Sequence, residues 1–179
     1  MNAAHKLLRE GTADCHGRVD AAFGSFDLSS LAGYRDFLTA QARAFLPIEE
    51  ALDLAGAAKL LPDWPERKRG NALVADLNCL KVHIPKPCIV PKVGSPAAIW
   101  GQVYVLEGSR LGGKMLRNSL DQDMPQAFLG HHAGRGAWRD LLDRIDRNLT
   151  EPVDHAIALE SARATFAVFE EAAGGARIR

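Results

Sequence analysis

Residues Tyr104 to Met115 read Y-V-L-E-G-S-R-L-G-G-K-M, and the fold class turns on how they are read. Gly108 to Lys114 matches G-x-x-x-x-G-K, the spacing of a phosphate-binding loop, and YVLE before it has the composition of a strand. That reading makes the chain a nucleotide-binding α/β protein. Two features oppose it. Met115 stands where such a loop carries Ser or Thr, so the hydroxyl that ligates magnesium is missing. The remaining sequence also offers no supply of buried β-branched strands for a parallel sheet. Read as a helix, Ala97–Leu120 keeps Ile99, Val103, Leu106 and Met115 at helix-like spacing, with Ser95 and Pro96 as N-cap and first turn. Gly101, Gly108, Gly112 and Gly113 then each cost about 1 kcal/mol relative to Ala. Glycine lacks a Cβ, so such a helix admits either another backbone or a flat ligand at close range. It also permits a kink. Composition alone favours tight helix–helix packing.

The flanking sequence is helical in pattern. Over Ala3–Phe23, Leu8, Thr12, Cys15, Val19 and Phe23 fall on one stripe. Leu31–Ala55 follows, with Ser29 or Ser30 as N-cap, and Pro47 is expected to kink or split it. Pro62, Asp63 and Pro65 form a break. Leu73, Leu77 and Leu80 then recur at helical spacing in RKRGNALVADLNCLKV, and the four prolines of HIPKPCIVPKVGSP mark a connection. Gly136–Leu149 and Pro152–Ala173 complete the pattern. The expectation is an all-α protein of six to eight helices, one domain over residues 1–179.

Composition narrows the function. Of 179 residues, 47% are hydrophobic and 25% charged, as in an ordinary globular protein. Lys plus Arg equals Asp plus Glu at 22 each, so no global field draws in nucleic acid or an anionic membrane. An anionic ligand must be held by locally placed cations. The first residues lack the apolar core of a secretory signal, and no stretch is apolar enough to span a bilayer. Cys15, Cys79 and Cys88 form no C-x-x-C pair and read as free thiols of a cytoplasmic protein.

One histidine has a suggestive place. His16 lies about 60° from the centre of the apolar stripe of the first helix, at its edge. Arg9, seven residues earlier, lies on almost the same side, about 10 Å away along the axis. An imidazole and a cation so spaced suit haem, with its central iron and peripheral carboxylates. A core or surface histidine is the competing reading.

Taken together the motifs resemble the haem oxygenase family, in particular bacterial members associated with bacteriophytochromes. LREGTADCHGRVD, beginning at Leu8, is similar to the family's proximal helix, with His four residues after Thr. YRDFL, the Pro47-to-Glu49 Pro-x-Glu and RKRGNALVADLNCL follow in the family's order. YVLEGSRLGGKML resembles its distal helix closely, and ARATFAVFE (Ala162 to Glu170) its closing helix. The resemblance implies an all-α fold holding haem between a proximal and a kinked distal helix. It implies His16 as the axial iron ligand and Arg9 as a propionate contact. Gly108, Ser109, Gly112 and Gly113 become the distal backbone over the open iron face, with Gly108, Ser109 and Gly112 as catalytic positions. It further implies haem as both cofactor and substrate, cleaved with O2 to biliverdin, carbon monoxide and ferrous iron. Electrons would come from a ferredoxin- or flavin-type reductase, with a bacteriophytochrome as an acceptor of biliverdin. Mammalian-type relatives carry an aspartate just after the first distal glycine; this chain has Ser109 there. A non-catalytic haem carrier on the same fold is therefore the alternative.

Other residues weigh less. His5, His83, His131, His132 and His155 have no partners at metal-ligand spacing and read as surface or loop histidines. Tyr104 and Phe166 are candidates to line a haem pocket, with core packing as the competing reading. Cys15 projects about 100° away from His16 on a helix. Arg110 and Lys114, one turn apart, read as a solvated face.

Overall fold

A computed structural model describes residues 3–175. Ten helices run α1 (Ala3–Gly11), α2 (Ala13–Phe23), α3 (Leu31–Leu54), α4 (Ala57–Leu60), α5 (Trp64–Arg67), α6 (Gly70–Cys79), α7 (Pro96–Arg117), α8 (Ala127–Gly130), α9 (Ala137–Asn148) and α10 (Pro152–Gly175). Among the described residues there is no strand, so the all-α reading holds and the phosphate-loop reading falls. Among the described residues the expected six to eight helices become ten, because the first helical pattern is divided in two and the breaks between long helices contain single helical turns. Trp64–Arg67, which its prolines mark as a break, is one of these, with Pro65 tolerated in its first turn.

α3 runs through the middle. Tyr34, Phe37, Leu38, Phe45, Ile48 and Leu52 are fully buried on it, and burying each large apolar side chain contributes roughly 1.5–3 kcal/mol. Ser30 is its N-cap, accepting from the Gly33 N–H at 3.0 Å. The expected split at Pro47 does not occur: α3 continues from Leu31 to Leu54. Proline has no N–H for the Arg43 carbonyl, and that carbonyl instead accepts from the Cys88 N–H at 2.8 Å. The proline-rich connection thus supplies the bond that the helix lacks.

The first helical pattern is divided at Thr12, whose φ and ψ are −114° and 3°. The backbone bonds Thr12 N–H to Leu8 O (3.0 Å) and His16 N–H to Thr12 O (2.9 Å) carry α1 into α2, so both keep one cavity-facing side.

The four glycines do not interrupt α7, which starts on Ser95 as N-cap, its Oγ accepting from Ala98 N–H at 3.2 Å. α10 packs along α7, and also against α1, α2 and α3. At Gly101 the two backbones meet. A Cβ there would overlap the Ala158 carbonyl oxygen and lie 3.1 Å from the Ala162 nitrogen. No helix among the described residues is long and apolar enough to cross a membrane.

Candidate functional site

A cavity of about 720 Å³, the size that a single cofactor-like ligand occupies, lies between α1–α2 and α7, with α9 and α10 completing its walls. Arg9, His16, Tyr104, Gly108, Ser109, Gly112 and Gly113 all border it, as does Phe166. These residues, singled out from the sequence as candidates for a haem site, share one space. Cys15 is buried outside that lining.

His16 stands on the α2 side. Its Nδ1 lies 2.9 Å from Asp20 Oδ2, one helical turn on. A neutral ring that donates from Nδ1 carries its lone pair on Nε2, the atom then available to a metal. Phe166 of α10 meets the ring edge-on at 5.9 Å and limits its swing. A bond from Nδ1 to Asp20 would select that tautomer, and Phe166 restricts the orientation of the ring, as partners of a ligating histidine do.

The arginine of the lining stands at one end of the cavity. Arg9, Thr12 and Tyr104 gather there. The Thr12 hydroxyl donates to the Leu8 carbonyl at 2.7 Å. Burial pushes the Tyr104 phenol above its ordinary pKa, and a hydrogen bond with Thr12 and the Arg9 charge pull it back. Beyond His16 the wall turns apolar, through Val19, Phe23 and Phe169.

The opposing wall is α7. An added Cβ at Gly112 would meet nothing within 4 Å, whereas at Gly108 it would touch Trp138 at 3.5 Å and at Gly113 Leu129 at 3.3 Å. The glycines therefore have divided duties: Gly101 admits a backbone, and Gly112 leaves space open.

Ser109 is held from behind. Its Oγ accepts from Arg69 at 2.6 Å and donates to the Leu106 carbonyl at 2.7 Å. Arg69 is buried, its guanidinium 4.6 Å from the ring centre of Phe45 and 4.9 Å from that of Phe128. Burial and the neighbouring Arg110 hold its pKa below the ordinary guanidinium range. The backbone N–H groups of Arg69 and Gly70 donate to the Glu49 carboxylate at 2.6 and 2.9 Å, which caps α6; burial raises the pKa of Glu49. Beside them Arg67 pairs with Glu107 at 3.0 Å, both buried.

Two sequence readings are corrected here. Arg110 is not on a solvated face: it pairs with Glu107 at 2.8 Å, bonds to the Arg67 carbonyl and meets His131 Nδ1 at 3.1 Å. His131 lies in a loop, as expected, but is half-buried beside Arg110, and His5 borders the cavity instead of the outer surface. Lys114 is exposed, as expected. Sequence reasoning did not find Asp20, Arg69, Trp138 or Gln41. The i,i+4 spacing from His16 was the available signal for Asp20. For the others the site is assembled by contacts between distant elements.

No protein-family model matches the chain. It is 31% identical over 112 residues to the haem oxygenase of Xanthomonas campestris pv. campestris (strain 8004), covering 59% of this chain and 67% of that protein. Its fold superposes on the NO- and CO-bound haem oxygenase of Neisseria meningitidis with a TM-score of 0.83 at 25% identity, over 97% of this chain and 92% of that one. The haem oxygenase of Leptospira interrogans gives a TM-score of 0.76 at 18% identity, over 97% and 99% of the two chains, a likeness of fold. A relative at this identity and coverage, a full-length structural match and an all-helical cavity with His16 against a glycine-opened helix lead to one conclusion: the chain belongs to the haem oxygenase family.

Proposed function

We propose that this protein binds haem through His16 and cleaves it to biliverdin, carbon monoxide and ferrous iron, using O2 and electrons from a ferredoxin- or flavin-type reductase. The observation that carries the reading is the opposition, across one cavity, of a histidine held by Asp20 and Phe166 to a helix wall left open at Gly112. Bound haem supplies the redox iron that activates dioxygen and is itself the molecule oxidised.

The chain's own contributions follow from the walls. His16 offers one nitrogen and leaves the other face of a planar ligand to α7. Arg9 and Tyr104 mark the end to which carboxylates are drawn, and Val19, Phe23 and Phe169 the end that takes an apolar edge. Gly108, Ser109 and Gly112 would let the peptide groups of α7 approach bound haem, because little side chain intervenes. Ser109 acts through its backbone and its position, since its hydroxyl hydrogen is directed at the Leu106 carbonyl. A bacteriophytochrome is the acceptor of the biliverdin in this proposal.

That engaged hydroxyl supports a second reading, a haem carrier on the same scaffold. Haem-loaded protein given O2 and a reductant separates the two. Conversion of the Soret spectrum to a bilin spectrum is expected; a spectrum that stays that of intact haem favours the carrier. His16→Ala is expected to abolish the histidine-ligated spectrum and turnover, and unchanged spectra in that variant overturn the assignment.

A further inference from the structure

His5 borders the cavity one helical turn before Arg9, about 6 Å further from His16 along the axis of α1. Its place is fixed from outside the helix. The His5 backbone N–H donates to Asp146 Oδ1 of α9 at 2.9 Å, and Leu142 and Trp138, one and two turns earlier on α9, border the same end of the cavity. Histidine and end wall are thus assembled together. Val19, Phe23 and Phe169, beyond His16, offer an anion nothing, and Gln41, the amide of the lining, carries no charge. Asp20, a carboxylate on the lining, belongs to His16, fifteen residues along the chain from His5. Lys6, the neighbouring cation on α1, is exposed, pairs with Glu10 at 3.9 Å and does not border the cavity.

A ligand with two carboxylates therefore has a single end at which to place both. Arg9 provides one guanidinium there. Tyr104 offers a hydroxyl there and no positive charge. Two further side chains with a nitrogen-bound proton border that end, Trp138 and His5, and of the two His5 is the one that can also carry a positive charge toward a carboxylate.

We infer that His5 is a ligand-binding residue that takes the second, outer carboxylate of a dicarboxylate tetrapyrrole, alongside Arg9. This inference rests on the haem reading above and extends it to a position that sequence patterns assign to the surface. His5 acts on the ligand's edge and not on its metal, so its effect should depend on the carboxylates being free.

The experiment uses ferric haem and its dimethyl ester as paired probes, titrated by absorption into the full-length protein and its variants. His5→Ala is expected to weaken haem binding about tenfold, the scale of one charge-assisted hydrogen bond, and to change binding of the dimethyl ester less than twofold. His5→Gln, which keeps an N–H donor, is expected to fall between. The Asp146 contact uses the backbone N–H, so both variants retain it. Haem affinity unchanged in His5→Ala, or weakened equally for haem and ester, overturns the inference while leaving the haem reading intact. Failure of the unsubstituted protein to bind either probe overturns both.

Discussion

Arg69 donates to the Ser109 hydroxyl across 2.6 Å, tying the start of α6 to the helix that forms the far wall of the cavity. The same nitrogen also donates to the Leu106 carbonyl at 2.8 Å. The two residues are unequal partners. Ser109→Ala leaves Arg69 its bond to Leu106 and should cost about 1 kcal/mol of stability. Arg69→Ala empties the space between Phe45 and Phe128 and strips two acceptors at once, which should cost about 3 kcal/mol or more. Urea denaturation of the ligand-free variants measures both; equal losses would contradict the asymmetry.

The glycines of α7 give a paired test. Gly101→Ala forces a methyl group onto the Ala158 backbone, so the expected loss is roughly 1–3 kcal/mol, with α7 and α10 pushed apart. Gly112→Ala meets no neighbouring atom and should gain up to about 1 kcal/mol from helix propensity. Ligand binding should respond in the opposite sense at Gly112, where a Leu side chain would occupy cavity space. Thermal unfolding and haem titration of the same variants read the two effects separately.

Asp20 tests how His16 is prepared. Removing its carboxylate frees the ring to turn and to change tautomer, so Asp20→Ala should lower ferric-haem affinity roughly three- to tenfold. The pair is solvent-exposed, which keeps the expected loss at the small end for such partners. Affinity equal to that of the parent protein would mean that Phe166 alone orients the imidazole.

His131 sets a pH dependence with a defined sign. Burial lowers its pKa below the ordinary 6.5, and the charges of Arg110, Arg69 and His132 lower it further, against the opposing pull of Glu107. A histidine with a depressed folded-state pKa binds fewer protons folded than unfolded in the interval between the two values. Its contribution to stability is therefore complete above about pH 6.5 and is lost as pH falls through that interval. His131→Asn should flatten the decline in unfolding free energy as pH falls below about 6.5, relative to the parent. A decline of the same slope in the variant would assign it to other groups.

How far the sequence announces this site depends on how local each feature is. The ladder of apolar positions on α1–α2, the Ser30 and Ser95 caps and the glycine spacing of α7 are set by near neighbours, and the pattern reads them correctly. Arg67 and Arg69 look like a solvated basic run because what buries them lies forty residues away, at Glu107 and Ser109. His5 looks superficial for the same reason: its neighbours on α9 arrive from more than 130 residues further on. Thr12 illustrates the other limit. An apolar stripe reports which side of a helix is buried, and a one-residue distortion leaves that stripe in place.

Pro47 gives the connection between α6 and α7 an address. By leaving one carbonyl of α3 without a partner, it creates a single docking socket on an otherwise self-satisfied rod, and the Cys88 N–H is the plug. Seven residues later that same connection delivers Ser95, the cap that starts the glycine helix. Proline in the interior of one helix thereby sets the point of departure of another. Restoring an N–H at position 47 would give the Arg43 carbonyl a second donor from within α3, in competition with the tether that aims α7 across the cavity.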